Sequence, residues 1–295
     1  MLPNIRPGAI VFLFLLSFHP GYSQLDYFSP ANIVHFADYL YQEHDFLHAA
    51  GEYQRYLFFS ENPPAQDSII FRIGLCNELA QEPASARAYY ARIIRDFPES
   101  SLADAARYEM AHTFFVSGEY SYALTIIADV QDSIKTISAH SKLQFLEGAS
   151  LLHMRNWGAA HTEFCKLSGS SLPASDTGML SEYIALSNEG MNLHCKSRFF
   201  AAFSSALIPG VGKIYSGRAK DGVYSLVLIA LTAWQGYEGF HRDGKNSLRG
   251  WIYGGLCGTF YLGDIYGSFI AARDYNNRLA ENILDRAQGD LPWYR

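Results

Sequence analysis

The sequence is poor in the residues that mark most chemistry. Four cysteines occur in 295 residues, Cys76, Cys165, Cys195 and Cys257, and none sits in a CxxC or other metal-like spacing. A Cys165–Cys195 bridge is the pairing left open, and buried free thiols are the expected state. There is no Ser/His/Asp grouping, no G-x-S-x-G, no H-E-x-x-H, no phosphate-binding glycine loop and no dinucleotide fingerprint. No enzymatic activity, cofactor or metal centre is expected. His44 and His48 are four apart with His35 nearby, but His44 falls at a turn, so the two need not share a helix face. Basic residues are scarce in the front half. Residues 24–195 hold 21 Asp+Glu against 10 Lys+Arg, a net of −11, whereas residues 196–295 hold 8 against 12, a net of +4. An acidic front half argues against a nucleic-acid partner, which needs clustered bases. A basic, glycine-rich, apolar back half points to a membrane.

The N-terminus reads as a secretory signal over residues 1–23. Arg6 precedes an apolar run at residues 8–18, and the small residues Gly21 and Ser23 set a cut before Gln24. The run is short for a span, which needs about 20 apolar residues, although an uncleaved N-terminal anchor stays open. No cysteine lies near the cut, so a lipid-anchored form is not expected.

A fixed period runs through residues 31–170. Bulky or ring residues stand at Phe46, Pro83, Tyr120 and Trp157, each step being 37 residues. A small residue follows three positions later in every copy: Ala49, Ala86, Ala123 and Ala160. A large apolar residue comes four beyond that, at Tyr53, Tyr90, Ile127 and Phe164. Nine residues before the bulky position lies another small one, Ala37, Gly74, Ala111 or Gly148. Small residues on two consecutive helices let their backbones approach where they cross, so the pattern predicts paired helices. Gly74, Ala86, Ala111, Ala123, Gly148 and Ala160 are the packing positions of the better-defined copies. Punctuation falls between pairs at "ENPP", "DFPES", "QDS" and "SSLP", and Ser100 and Ser101 are candidate N-caps.

These residues resemble the tetratricopeptide repeat, whose usual period is about 34. The phrase "DFPESSLADAARYEMAHTFFVSGEYSYAL" is similar to repeats of bacterial envelope proteins involved in outer-membrane assembly and envelope maintenance. The chain departs from that pattern in its longer period, in Pro83 replacing an aromatic residue, and in Glu147 at a usually apolar place. The resemblance implies a groove that holds a protein or peptide. Residues 173–192 read as one further helix capping the stack.

The back half reads as a membrane domain, residues 196–295. Residues 199–215 are apolar apart from serines and Lys213, about 222–240 apart from Glu238, and 250–272 apart from Asp264. The last two are expected to span a bilayer, with Trp234, Tyr237, Trp251 and Tyr253 as an aromatic belt; a buried hairpin outside the membrane stays open. Pro209 removes a backbone donor, and Gly210 and Gly212 permit a sharp turn, so residues 199–207 are expected to lie in the interface. Gly250, Gly254 and Gly258, then Gly263 and Gly267, form a small face suited to a tight hairpin or a homodimer. The loop 241–249 carries Arg242, Lys245 and Arg249 against Asp243, which puts it in the cytoplasm and the repeats and C-terminus outside. The positions Pro209, Gly210, Gly212, Tyr215, Gly217 and Gly222 resemble the turn motif of small two-helix bacterial membrane domains of unknown function. Asp264 is either a functional carboxylate or a structural one bonded to the facing helix or to Arg218. The second reading is taken, because the expected spans hold no chain of ionisable partners for a relay.

The expectation is therefore an all-α chain. A tetratricopeptide-like α-solenoid of about four helix pairs plus a capping helix, residues 24–195, precedes a transmembrane helical hairpin. The function expected is that of a scaffold in the bacterial cytoplasmic membrane, with its repeats on the extracytoplasmic side binding a protein or peptide. The alternative makes the hairpin the working part, assisting membrane-protein assembly or transport, with the repeats recruiting clients.

Overall fold

The computed structural model describes residues 29–60, 65–168 and 174–287 of the chain. The expected signal segment, residues 1–23, lies outside them. Among the described residues the chain is helical and carries no strand. Eight helices follow one another as four pairs: α1 (Pro30–Gln42) and α2 (Phe46–Phe59), α3 (Gln66–Leu79) and α4 (Pro83–Asp96), α5 (Ala103–Val116) and α6 (Tyr120–Val130), α7 (Ile137–His153) and α8 (Trp157–Ser168). The first helices end at 42, 79, 116 and 153 and the second begin at 46, 83, 120 and 157, so the 37-residue step holds at both edges of the turn.

The four turns share one backbone geometry. His44, Gln81, Gly118 and Arg155 take positive φ, between 61° and 75°. The next N–H then reaches back five residues, from Asp45 to Leu40 O, Glu82 to Asn77 O, Glu119 to Phe114 O and Asn156 to Leu151 O, at 2.8–2.9 Å. This closes the carbonyls left open at the end of each first helix. Pro83 opens α4 at its first position, where a missing N–H costs nothing, which accounts for proline in place of an aromatic residue.

The small residues of the repeat lie in the core. Ala37, Ala49, Ala86, Ala111, Ala123 and Ala160 are fully buried. A Cβ added at Gly74 would lie 2.5 Å from the Tyr90 ring, and one at Gly148 would lie 2.6 Å from the Phe164 ring. The glycine is the hole that receives the ring of the following helix. Between the second and third pairs, the Ser100 hydroxyl accepts the Leu102 N–H at 3.0 Å. Helix α9 (Ala174–Met191) packs on α8, and its Tyr183 ring stands 4.9 Å from Phe145 and 5.4 Å from Phe164.

Four α-helices follow in the rest of the described residues: α10 (Arg198–Leu207), α11 (Val211–Tyr215), α12 (Ala219–Asp243) and α13 (Leu248–Arg286). The expected hairpin is present as α12 packed on α13, and α10 and α11 also pack on α13. Neither long helix meets the expectation of a span. Among the described residues, no helix is long and apolar enough to cross a membrane. The reason is composition: Ser225, Thr232, Gln235 and Glu238 interrupt α12, while Gly250, Gly254, Gly255, Gly258, Gly263 and Gly267, with Asp264, dilute α13. Helix α13 also continues past 272 to Arg286. Its last turns lie on α9, where Tyr183 Oη donates to Ala287 O at 2.6 Å and Arg286 pairs with Glu189 at 2.7 Å.

Contacts group the chain into two compact units, Met1–Thr113 and Phe114–Arg295, so residues on both sides of the expected boundary at 195/196 belong to the second. The connecting strand of chain there is stitched to α13. Asn276 accepts the Lys196 N–H at 2.8 Å and donates to Lys196 O at 2.9 Å. The expected cysteine states also change: Cys165 and Cys195 are exposed and unbridged, and of the four only Cys76 is fully buried. Burial pushes the Cys76 thiol up to about 12.

Candidate functional site

A cleft of about 230 Å³ opens among α6, α7 and α8, lined by Ile127, Gln131, His140, Leu143, Gln144, Glu147, Glu163 and Lys166. Its wall follows from helical spacing. His140, Leu143, Gln144 and Glu147 recur at three- and four-residue intervals and so share one face of α7. Glu163 and Lys166 do the same on α8, where Lys166 Nζ donates to Glu163 at 2.6 Å and Gln144 Nε2 donates to its other oxygen at 3.4 Å. Glu147 differs. Among the described residues it makes no hydrogen bond and no close ion pair. Burial raises its carboxyl above the ordinary value, Glu163 adds to the shift, and Lys166 and His140 oppose it. The next residue, Gly148, is the hole for the Phe164 ring, so Glu147 stands beside a close-packed crossing. Sequence reasoning noted Glu147 only as an anomaly of the repeat.

The turn motif builds a second polar centre, inside the C-terminal helices. Pro209 and Gly210 end α10, and Gly210 has a φ of 86°. Its N–H donates to Asp264 Oδ2 at 2.6 Å, and Lys213 Nζ pairs with Asp264 Oδ1 at 2.9 Å and donates to Ser225 Oγ at 2.6 Å. Asp264 is buried, and its partners are Lys213 and the Gly210 backbone rather than Arg218, which pairs with Asp221 at 2.6 Å. Ser205 accepts the Gly212 N–H at 3.0 Å and lies 2.7 Å from Ser268 Oγ. A Cβ at Gly210 would overlap the Gly222 carbonyl, one at Gly222 the Gly210 carbonyl, and one at Gly212 the Ala201 carbonyl. Tyr215 Oη accepts the Ser197 N–H at 3.3 Å, and Gly217 turns the chain into α12 with a φ of 84°. The motif is a clasp: it is tied to α13 by the Gly210 N–H bond to Asp264, the Lys213–Asp264 ion pair and the Ser205–Ser268 contact, and to α12 by the Lys213–Ser225 bond. Of the α13 glycines, Gly250 and Gly254 face the Phe240 ring, and the Gly254 backbone lies where a Cβ at Gly236 would go, whereas Gly255, Gly258 and Gly263 have open space around them.

Outside the clasp the same helices present large apolar side chains to their surroundings. Phe199, Phe203, Leu207, Tyr224, Leu231, Trp234, Trp251 and Leu262 are all more than half exposed. No charged residue occurs in 222–237 or in 250–263.

Two further polar groupings lie in the first unit. Glu78, Glu109 and His112 bring ligand atoms within 4.8 Å of one another, and these residues could hold a metal ion. Their arrangement also satisfies itself: His112 Nδ1 lies 2.9 Å from Glu78 Oε1, and Tyr90 Oη donates to Glu78 Oε2 at 2.8 Å. Its one sequence signal is the Glu-x-x-His spacing on α5, which sets both side chains on one helix face. Asp38, Tyr53 and Arg72 form a closed network, with Arg72 donating to both Asp38 and Tyr53 Oη; burial and Asp38 push the Tyr53 hydroxyl up to about 12. His48 pairs with Asp45 at 2.8 Å, and His44 occupies the α1–α2 turn, so the two histidines do not converge.

No protein-family model matches this chain, and no curated protein is significantly similar to it.

Proposed function

We propose that the chain is a membrane-held scaffold of the bacterial envelope. Its helix pairs act as tetratricopeptide-type repeats that hold a protein or peptide partner, and α10–α13 seat it on a lipid bilayer. The observation that carries this is the outward apolar surface of α10–α13. Exposed apolar patches above a few hundred Å² are rare on monomers in water and mark a partner or a membrane. Here the outward residues run from Phe199 to Tyr266. The absence of charge over 222–237 and 250–263 favours lipid, which admits no bare charge, over a protein surface with a polar rim. The repeats are expected on the extracytoplasmic side, because a cleaved signal would leave Gln24 there. The anchor role is favoured over a working role for the hairpin because Asp264, its buried carboxylate, is paired with Lys213 and bonded by the Gly210 N–H.

Flotation of the full chain with phosphatidylcholine–phosphatidylglycerol liposomes tests the seat. Co-flotation is expected, and Val227→Lys/Leu231→Lys, which alters only outward side chains, should leave most of the chain at the bottom of the gradient. Wild-type chain that stays unfloated and monodisperse in buffer would overturn the proposal.

A further inference from the structure

The cleft among α6, α7 and α8 carries an acid, Glu147, to which the described residues give no hydrogen bond and no close ion pair. Glu147 is half-buried on the α7 wall with an apolar neighbour, Leu143, one turn away and Ile127 across the cleft. Lys166, on the α8 wall of the same cleft, is already bonded to Glu163 at 2.6 Å. A carboxylate that is partly withdrawn from water, yet open to the cleft and without a hydrogen bond, leaves room for an incoming cation to complete it. Burial is the main cause that raises the Glu147 carboxyl, with Glu163 adding to it. Around it stand acceptors and donors that suit main chain: Gln131 and Gln144 at the rim, with His140 beside them. The volume, about 230 Å³, admits one long side chain and its backbone but not a folded surface. The net charge of −11 over residues 24–195 draws cationic segments towards the repeats.

We propose that this cleft recognises a lysine or arginine side chain of an extended peptide segment, with Glu147 as its ionic anchor and Gln131 and Gln144 bonding the peptide backbone. This rests on the reading of the helix pairs as a peptide-holding scaffold. Glu163 contributes by holding Lys166 away from Glu147, which keeps the anchor vacant until the partner's cation arrives. Ile127 and Leu143 cover the methylenes of that side chain, as apolar surface commonly does for a basic stem.

The test uses the full chain in mild detergent, immobilised through its C-terminus, and a random heptapeptide phage library. Selected peptides should share a lysine or arginine at one position. Replacing that residue by norleucine in a synthetic copy should weaken binding about tenfold or more, the loss expected for a charge-assisted bond. Glu147→Gln should lose the basic preference, and Glu147→Lys should shift the enrichment to Asp or Glu. A thermal melt separates this from misfolding: Glu147→Gln should melt at or above the wild-type temperature. A melt several degrees lower would show that Glu147 serves an internal contact, and would overturn the inference. Peptides selected without a basic residue would overturn it too while leaving the scaffold reading intact. Selection of no peptide at all would remove the scaffold reading and this inference with it.

Discussion

In the helix pairs a Cβ added at Gly74 would meet the Tyr90 ring at 2.5 Å, whereas in the C-terminal helices one added at Gly210 would overlap a main-chain carbonyl. Both regions place small residues where helices cross, but the neighbour differs. A ring is the end of a rotatable side chain and can swing by a few tenths of an ångström. A carbonyl is fixed by the helix that carries it. The helix pairs therefore interlock side chain into hole, and the filler differs between copies: Tyr90 stands over Gly74 and Phe164 over Gly148. The C-terminal helices approach backbone to backbone, through Gly210 and Gly222, Gly212 and Ala201, and Gly239 and Gly250. Their outward faces differ in the opposite sense. Side chains around the helix pairs include the polar cleft of Glu147, whereas the clasp turns all its polarity inward and leaves Phe, Leu and Trp outside.

That contrast can be broken or sharpened by substitution in the full chain in detergent, followed by urea unfolding. The largest loss is expected for Asp264→Ala. It strands Lys213 and the Gly210 N–H in a buried site, and removing one partner of such a pair costs about 3–5 kcal/mol. If the loss stayed under 1 kcal/mol, the clasp would not be what holds α10 and α11 on α13. Next comes Gly210→Ala, at about 3 kcal/mol or more, since a backbone clash adds to the strain of positive φ. In the helix pairs, Gly74→Ala and Ala123→Trp should cost about 1–3 kcal/mol through overpacking. The double variant Gly74→Ala/Tyr90→Leu should recover part of the Gly74→Ala loss. Failure to recover would mean that the ring is not what the glycine accommodates. Gln81→Gly should stabilise by about 1 kcal/mol, because the turn demands a left-handed residue that glycine adopts freely.

The smallest effect concerns pH. Folding raises the Glu147 carboxyl, so between its ordinary and its raised value the folded chain binds more protons than the unfolded one. Stability then falls as pH rises through that window. Glu147→Gln should therefore exceed wild type in melting temperature at neutral pH, and the gap should close as pH falls to the ordinary carboxylate range. A gap that widens on acidification would reverse the sign and rule out an uncompensated carboxylate.

Much of the first region was legible. The 37-residue recurrence of Ala and Gly picked out buried positions, and at Gly74 and Gly148 the close approach of a ring, because close approach is a demand on residue size, and size is written in residue type. The turns were not legible in the same way. Positive φ falls on His44, Gln81, Gly118 and Arg155, four unlike residues, because the two flanking helices impose the conformation whatever the side chain is. In the second region Pro209, Gly210 and Gly212 announced a break, yet the partner of Asp264 was not readable. Arg218 and Lys213 are both basic and both near the turn, and the one-turn helix α11 decides which of them faces α13. The expected spans overestimated what long runs of weakly apolar residues provide, because glycine lengthens such a run without adding hydrophobicity. Glu147 was visible as a departure from pattern, but its cleft also needs Ile127 from α6 and Glu163 from α8.

By itself the sequence determined the local quantities: helix pairing, the crossing residues, the break at Pro209 and the segregation of acidic from apolar halves. Each depends on one residue or on neighbours within a turn or two. Tertiary structure decided which charges meet, which glycines face backbone and which face space, and where a carboxylate is left without a counter-charge. Those are properties of pairs far apart in the chain: Lys213 and Asp264, or Gln144 and Glu163, come within bonding distance only when separate helices are laid side by side.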